Sequence, residues 1–186
     1  MKRFSLILTM AFFVFGFSIS QAQNTNKSFV LGPGDILQVS VWKDEALTRE
    51  ILVRPDGSFS FPLAGQIQAA GKTVRKVQEE LSERLQKYAP DSPVTVALSK
   101  LNSTKIYVVG KVTNPGMYLM QGKMHVMQAL AASGGLTRFA DADEIIILRD
   151  QNSTQKVIPF SYSSVSQGED LESNIVLKSG DTIVVP

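Results

Sequence analysis

Residues 53–65 carry the strongest local constraint on how this 186-residue chain can fold. At their centre stand Pro55, Asp56 and Gly57. Proline fixes φ for the first corner of a tight turn, aspartate accepts a hydrogen bond from the backbone that follows it, and glycine takes the positive φ that a β-carbon resists. The three residues therefore predict a tight turn at this point of the chain.

The residues on both sides of this turn predict two strands that pair as a hairpin. Apolar residues occupy every second position over 50–54, and Phe59 and Phe61 do the same over 58–61. Pro62 ends the second strand because it has no N–H to donate. The stretch contains no nucleophile beside a base and no cluster of metal ligands, so we interpret it as architecture.

The amino terminus has the pattern of a secretory signal. Two basic residues precede an apolar run over 4–19, and small residues stand three and one positions before a cut after Ala22. We predict a signal peptide over 1–22 and a flexible polar leader over 23–28. The alternative is an uncleaved membrane anchor, for which a run of about 16 residues is slightly shorter than the roughly 17 to 25 that span a bilayer.

Composition excludes several classes of function. The chain has 19 basic and 17 acidic residues, and removal of the signal with Lys2 and Arg3 makes the two numbers equal. A protein without net charge has no long-range field that gathers nucleic acid or anionic lipid. Cysteine is absent, which excludes disulfides, thiolate metal sites, a cysteine nucleophile and a lipid-modified cysteine. Packing or association with other subunits must therefore stabilise the exported chain.

Residues 29–100 predict a first small domain, a sheet with one covering helix. A turn rich in glycine and proline leads into a strand over 36–42, and 94–98 is predicted as the strand that returns after the helix. Thr73 is a good N-cap for that helix. Its apolar stripe consists of Val74, Val77, Leu81, Leu85 and Tyr88. Trp42 either caps its own core, the interpretation we favour, or contacts a neighbouring subunit.

Residues 101–186 predict a second domain, and a polar segment before it marks the boundary. The order of its elements is strand pair, short helix, strand pair and final strand, which indicates a β-grasp (ubiquitin-like) fold and an α+β class for the whole chain. The strands are predicted over 105–110, 117–119, 145–149, 156–160 and after Asp181, with a turn at 150–153 and the helix over 124–132.

Residues 176–185 repeat the pattern of residues 30–39. When the two segments are aligned without a gap, Leu, Gly, Asp and the final Val coincide. Gly34-Asp35 and Gly180-Asp181 then occupy equivalent positions. Each pair predicts a turn that feeds a strand, with the aspartate bonded to the backbone of the turn.

The candidates for catalysis or metal binding are few. Asp35, Asp56 and Asp181 are the carboxylates that a glycan-cleaving enzyme would need. Each lies beside glycine in a turn, so we interpret all three as backbone-bonding residues and predict no catalysis and no cofactor. His125 lacks neighbouring ligands and is predicted to be an exposed polar residue. The acidic residues at 141–144 lack the spacing of a calcium loop and are predicted to form a solvated turn or the first turn of a helix.

These motifs, in this order, resemble the outer-membrane polysaccharide export family. The first unit is similar to its polysaccharide biosynthesis/export domain through Leu31–Asp35, Pro55–Gly57, Pro62–Gly65 and Gly71–Thr73. The second is similar to its soluble-ligand-binding β-grasp (SLBB) domain through Val108–Val112, Asn114–Gly116, Ala129–Leu136 and Leu177–Pro186. The motif residues, all interpreted as structural, are Gly34, Asp35, Pro55, Asp56, Gly57, Pro62, Gly65, Gly71, Gly110, Pro115, Gly116, Gly134, Gly135, Gly180 and Asp181.

The resemblance implies a non-enzymatic, periplasmic subunit that forms a homo-oligomeric ring, through which capsular polysaccharide or exopolysaccharide passes toward or across the outer membrane. It implies an inner-membrane polysaccharide co-polymerase, of the chain-length regulator or tyrosine kinase type, as a partner. The chain departs from the family pattern in three ways: it has no lipobox cysteine, it has one β-grasp unit, and it reaches Pro186 without an amphipathic helix of the kind that forms an outer-membrane pore. We therefore expect it to associate with the outer membrane through partners, including a separate outer-membrane protein. The alternative is a soluble periplasmic saccharide-binding or adaptor module that forms no conduit.

Overall fold

The computed structural model describes residues 29–90, 92–151 and 154–186. The predicted signal peptide over 1–22 and leader over 23–28 lie outside the described residues, as does part of the predicted turn at 150–153. In the described part, the buried apolar side chains form two separate clusters. Strands and helices contribute to both clusters, which confirms the predicted α+β class.

The first unit combines a three-stranded sheet with a two-stranded ribbon. Its elements are β1 (Ile36–Val41), β2 (Asp44–Leu52), β3 (Ser58–Phe61), β4 (Gly65–Gln68), α1 (Val74–Leu85) and β5 (Val94–Lys100). β1 lies between β2 and β5 and is antiparallel to both, and β3 pairs only with β4. Helix α1 buries Val77, Leu81 and Leu85 in the same cluster as the apolar residues of β1.

The turn at Pro55 forms as predicted, but the predicted pairing of its two strands is wrong. The Gly57 N–H donates to the Arg54 carbonyl at 2.8 Å, and φ of Gly57 is +79°. However, β2 pairs with β1 and β3 pairs with β4. Apolar alternation shows which face of a strand is buried and leaves its neighbour undetermined. The nine-residue β2 forms a longer ladder with β1 than the four-residue β3 would allow.

Two strands of the first unit depart from the prediction, one in its extent and the other because it was not predicted. β2 begins at Asp44 and not at residue 50. Its first residues were missed because residues 44–49 are mostly exposed and lack apolar alternation. β4 was not predicted, since Ile67 is the only buried residue among a glycine and two glutamines. Both differences concern strands with little buried apolar surface.

Two aromatic residues of the first unit lie outside the core, contrary to prediction. Helix α1 ends at Leu85, and the Tyr88 N–H donates to the Leu85 carbonyl at 2.8 Å. This tighter final turn removes Tyr88 from the apolar stripe, and its side chain is 54% exposed. Trp42 is 63% exposed. The favoured interpretation of Trp42, as a cap on its own core, is therefore wrong.

The second unit has the predicted β-grasp topology. Its elements are β6 (Lys105–Gly110), β7 (Gly116–Leu119), α2 (Val126–Ala132), β8 (Ile145–Gln151), β9 (Thr154–Phe160), α3 (Tyr162–Ser166), a 3-10 turn (Leu171–Ser173) and β10 (Thr182–Val185). The sheet order is β7-β6-β10-β8-β9, and the last strand is parallel to β6 and antiparallel to β8. The first and last strands of the unit therefore lie side by side at the centre of the sheet.

Helix α2 covers one face of this sheet. Val126, Ala129 and Leu130 of the helix are buried in one cluster with Ile106 and Ile183 of the central strands. The short helix α3 was not predicted, because its five residues are too few to show an apolar period. Within the ranges that the structure describes, none of the helices has the length and apolar character needed to cross a bilayer.

Candidate functional site at the joint between the two units

Residues 32–35 and 178–181 form two turns with the same hydrogen bonds. In each turn the N–H of the first residue donates to the aspartate carboxylate, at 2.9 Å for Asp35 and 2.7 Å for Asp181. The aspartate N–H donates back to the first carbonyl, at 3.3 and 3.1 Å. The glycine before each aspartate has a φ of +94° or +91°, a conformation that favours glycine. The repeat predicted from the sequence is confirmed as one turn geometry used twice.

Asp35 is fully buried and binds the segment that joins the two units. One of its carboxylate oxygens accepts the N–H groups of Asn102 at 2.9 Å and Ser103 at 2.8 Å. The other accepts the Gly32 N–H at 2.9 Å and the Ser103 hydroxyl at 2.8 Å. Among the described residues, no lysine or arginine forms an ion pair with Asp35. Four hydrogen bonds thus compensate the burial of this carboxylate.

The joining segment packs tightly against the first turn. A β-carbon on Gly32 would lie 2.6 Å from Cβ of Ser103, closer than two carbon atoms approach. Asn102 adds a side-chain bond, since its Nδ2 donates to the Gly34 carbonyl at 3.1 Å. Glycine at position 32 is therefore required by this contact and not by its own φ.

Asp181 is also buried, but an arginine neutralises it. The Arg149 guanidinium donates from Nε to one carboxylate oxygen at 2.9 Å and from a terminal nitrogen to the other at 2.6 Å. This two-point contact is the strongest geometry for such a pair. The bond to Asp181 raises the pKa of Arg149 above its usual value. The same guanidinium donates to the Val176 carbonyl at 3.1 Å, which ties the second turn to β8.

The second turn holds the joining segment from the opposite side. The Ser179 hydroxyl donates to the Ser103 carbonyl at 2.6 Å, and the Gly180 N–H donates to the Lys105 carbonyl at 2.8 Å. Ser103 therefore binds the Asp35 turn (residues 32–35) through its N–H and hydroxyl, and the Asp181 turn (residues 178–181) through its carbonyl. We call these two turns and residues 101–105 the joint.

Asp56 differs from the two buried aspartates because its side chain is exposed. Its carboxylate accepts the N–H of Ser58 at 2.9 Å and the Ser58 hydroxyl at 2.8 Å, and Arg54 lies 3.7 Å away. The bonds from Ser58 lower the pKa of Asp56. All three aspartates accept hydrogen bonds from backbone N–H groups.

The other polar candidates have structural roles. His125 is the N-cap of α2, and its N–H donates to the Gln128 side chain at 2.8 Å. Asp143 accepts the Ser161 hydroxyl at 2.6 Å and the Ser163 N–H at 3.3 Å, and these bonds lower its pKa. The acidic residues at 141–144 thus form a turn that caps α3. In the part of the chain that is described, no three His, Cys, Asp or Glu side chains are arranged to hold a metal.

The joint unites four of the residues predicted to be structural, Gly34, Asp35, Gly180 and Asp181. The remaining predicted residues take no part in its hydrogen bonds and lie in other turns and strand ends: Pro55, Asp56, Gly57, Pro62, Gly65, Gly71, Gly110, Pro115, Gly116, Gly134 and Gly135. Sequence reasoning missed Asn102, Ser103, Arg149 and Ser179. The available signal was the polar run at 99–104, which was interpreted only as a domain boundary.

A second feature is the face of the β-grasp sheet opposite α2, which we call the open sheet face. In β6, for example, Ile106 and Val108 are buried toward α2 and Tyr107 and Val109 point the other way. Strand pairing places the outward apolar residues side by side across the whole sheet. They are Met117, Leu119, Tyr107, Val109, Val184, Ile146, Leu148, Val157 and Pro159.

The open sheet face has the composition of a contact surface. Met117 is 54% exposed, Val157 is 55% exposed, and these two residues lie in the two edge strands. A sheet with one solvated face normally has polar residues on that face. Contiguous exposed apolar residues mark a surface that binds another molecule. The open sheet face is thus the main candidate for assembly.

The fold and these sites define a class of protein: a two-unit protein in which a small α+β unit is joined to a β-grasp module. Two family models match the chain, the polysaccharide biosynthesis/export protein model over residues 23–99 and the SLBB domain model over residues 105–161. The chain belongs to the outer-membrane polysaccharide export family. This is a family of transport components, which confirms the prediction that the protein is not an enzyme.

Several curated proteins are similar to the chain over most of its length. The EPS I polysaccharide export outer membrane protein EpsA of Ralstonia nicotianae is 29% identical over 83% of this chain and 46% of its own length. The exopolysaccharide production protein ExoF of Rhizobium meliloti is 30% identical over 72% of this chain and 33% of its own. The capsule polysaccharide export outer membrane protein CtrA of Neisseria meningitidis is 26% identical over 83% and 43%. The chain spans less than half the length of each.

Proposed function

We propose that the protein is a periplasmic subunit of a machine that exports capsular polysaccharide or exopolysaccharide, and that copies of it close into a ring around the polymer. Membership of the export family and the names of its relatives support the export role. The observation that carries the ring is the open sheet face, an apolar surface that the chain itself leaves uncovered.

A ring needs two different contact surfaces on each subunit. Head-to-tail contacts between unlike surfaces close into rings when the rotation between subunits allows it. The open sheet face supplies one surface in the second unit. The first unit exposes other large apolar residues, among them Trp42, Leu52 and Leu63. We infer that the open sheet face of one copy packs against the apolar surface that contains Trp42 on the next.

The size of the open sheet face also favours a ring over an isolated dimer. Five strands about 4.8 Å apart and about 13 Å long present roughly 250 Å² of flat sheet. A stable interface of standard size buries about 800 Å² on each partner. The open sheet face alone therefore provides only part of a stable interface, so the remainder must come from surface around it. A closed ring compensates for modest interfaces because every subunit is held on two sides.

Transport in such a ring requires no covalent chemistry. A polar lumen with weak contacts suits a hydrated polymer, because tight sites would slow its passage. The proposal includes the partners that the resemblance implies, an inner-membrane co-polymerase and a separate outer-membrane protein. It also includes export to the periplasm, association with the outer membrane through those partners, and the domain boundary between residues 100 and 101.

The test compares assembly and polymer yield in the same variants. Met117→Glu with Val157→Glu places two charges on the open sheet face, and Gln167→Glu is the control on an exposed position of the second unit. We expect wild type and control, purified from the periplasm, to show one discrete oligomer by native mass spectrometry, and the double variant to be a folded monomer. We also expect deletion of the gene to lower secreted polymer, and the double variant to fail to restore it.

Two results would overturn the proposal. Normal polymer export in the deletion strain would exclude the export role. A strictly monomeric wild type that binds oligosaccharide would favour the second candidate, a binding or adaptor module without a conduit. The observation that favours a binding module is a cleft next to the joint, whose mostly apolar lining, with Phe29, Leu101 and Val176 among others, suits an apolar ligand better than a bare saccharide.

A further inference from the structure

The cleft next to the joint has walls from both units. Its volume is about 620 Å³. Phe29 and Leu98 come from the first unit and Leu101 from the joining segment, and Met120 and Val176 come from the second unit. Phe29 is 37% exposed and Val176 is 42% exposed, so apolar side chains form an open wall. Known small-molecule sites have volumes of about 300 to 1,000 Å³ and mostly apolar walls, and this cleft meets both criteria.

The charged groups of the cleft all have the same sign. Lys123 and Lys178 line it together with three uncharged polar residues, and no carboxylate does. In the described ranges neither lysine forms an ion pair within the protein. Because the protein as a whole has a nearly balanced charge, this local excess of positive charge is a property of the cleft. An anionic group beside the apolar wall would therefore find an attractive site.

We propose that the cleft binds a monomeric lipid amphiphile with one acyl chain and an anionic headgroup. The acyl chain lies along Phe29, Leu98, Leu101 and Val176, and the headgroup contacts Lys123 and Lys178. A saccharide fits the lining less well, because Phe29 is the only aromatic residue in it and apolar side chains outnumber the polar ones. This site is separate from the open sheet face, and its existence does not depend on ring formation.

Titration calorimetry with alkyl phosphates tests this proposal. The full chain, purified from the periplasm, is titrated with octyl, nonyl and decyl phosphate below their critical micelle concentrations. We expect the affinity to rise about four-fold with each added methylene, as burial of a hydrocarbon chain requires. Decyl maltoside, which has the same chain and an uncharged head, is expected to bind at least about ten-fold more weakly. Inorganic phosphate alone is expected to produce no binding heat.

Two variants separate the headgroup from the chain. Lys123→Gln with Lys178→Gln should weaken decyl phosphate about ten-fold and leave decyl maltoside unchanged. The matched control, Lys76→Gln with Lys156→Gln, removes the same charge from exposed positions elsewhere and should change neither ligand. Val176→Asp should weaken both ligands. Far-UV circular dichroism and a thermal melt establish that each variant is folded.

Several results would overturn the proposal. They are equal affinity of decyl phosphate for wild type and Val176→Asp, equal loss in the lysine variant and its control, and binding of inorganic phosphate as tight as that of decyl phosphate. Binding to anionic phospholipid vesicles without binding of the monomeric amphiphile would also overturn it, because that pattern indicates a membrane surface site. Absence of decyl phosphate binding at millimolar concentration would do the same.

Discussion

At the scale of single residues, Asp35 shows how one carboxylate can join two units. Its two oxygens accept four hydrogen bonds, and three of the donors belong to Asn102 and Ser103 in the joining segment. The Asp181 turn has the same geometry, yet its carboxylate binds Arg149. The same local sequence therefore serves two purposes, and the partner across the fold decides which.

Asp35→Ala is expected to lower the free energy of unfolding by about 3 to 5 kcal/mol, because the partly buried N–H groups of Gly32, Asn102 and Ser103 lose their acceptor. Urea unfolding of the purified protein, followed by circular dichroism, measures the change. Asp56→Ala is the control, since that carboxylate is exposed, and this variant should lower the free energy of unfolding much less. Equal stability of the two variants would contradict the role assigned to Asp35.

The residue scale also shows a limit of sequence reasoning. Glycine next to aspartate correctly predicted two turns with bonded carboxylates. Ser103 could not be found in this way, because a serine in a polar segment looks the same whether it is solvated or bound on both sides. Its role depends on contacts across 68 and 76 positions of the chain, which no local pattern contains.

At the scale of elements, helix α1 is tied to the loop that precedes it by an ion-pair network. Glu80 binds Lys72, just before the helix, and also Arg84 one turn further along. The Lys72 carbonyl in turn accepts the Leu31 N–H at 2.8 Å. This network connects the helix to the segment that leads into the Asp35 turn.

The stability contributed by Glu80 is expected to depend on pH. The hydrogen bond from Lys72, with the nearby positive charges, lowers the pKa of Glu80 below the ordinary glutamate value of 4.5. The contribution is therefore present above pH 4.5 and is lost as the pH falls through the lower folded-state pKa. At pH 7 we expect Glu80→Gln to cost at most about 1 kcal/mol, because the pair is partly solvated.

Urea unfolding at pH 7 and at pH 3 measures this effect. The difference in unfolding free energy between wild type and Glu80→Gln should shrink toward zero at pH 3. Glu79→Gln is the matched control, because the Glu79 side chain is 63% exposed and faces Arg75 only at 3.8 Å. A difference for Glu80→Gln that stays constant between the two pH values would exclude the mechanism.

Elements were predicted well where one sequence stretch determines them. Helix α1 and the β-grasp order follow from apolar periods and from the sequence of elements. The pairing of β2 with β1, and not with β3, does not follow from these local patterns, because strand partners are chosen by competition over the whole sheet. The residues around Pro55 define a turn between two sheets as readily as a turn within one.

At the scale of the whole molecule, the joint predicts one fixed angle between the units. The chain has no cysteine, so two introduced cysteines can be spin-labelled without side reactions. The labels are placed at Lys76→Cys and Lys156→Cys, one in each unit, and the labelled protein is diluted with excess unlabelled protein so that distances between copies do not contribute. We then expect a single narrow distance distribution by double electron–electron resonance. Asp35→Asn in this background should broaden it, because an amide cannot accept all four hydrogen bonds.

The control for this experiment is Asp56→Asn with the same labels, which should keep the narrow distribution. An equally broad distribution in the unmodified background and in Asp35→Asn would mean that the joint does not fix the two units. The sequence alone could not predict this angle, because the angle depends on how the Asp181 turn meets the Asp35 turn across a segment of five residues, 101–105.

The exposure of Trp42 has a practical consequence. It is the only tryptophan in the chain, so every photon of indole fluorescence comes from one surface position. Emission from a hydrated indole lies at long wavelength and shifts to shorter wavelength when the ring leaves water. The protein therefore contains its own optical reporter, which is insensitive to small changes in the two cores and responds when a neighbour covers that surface.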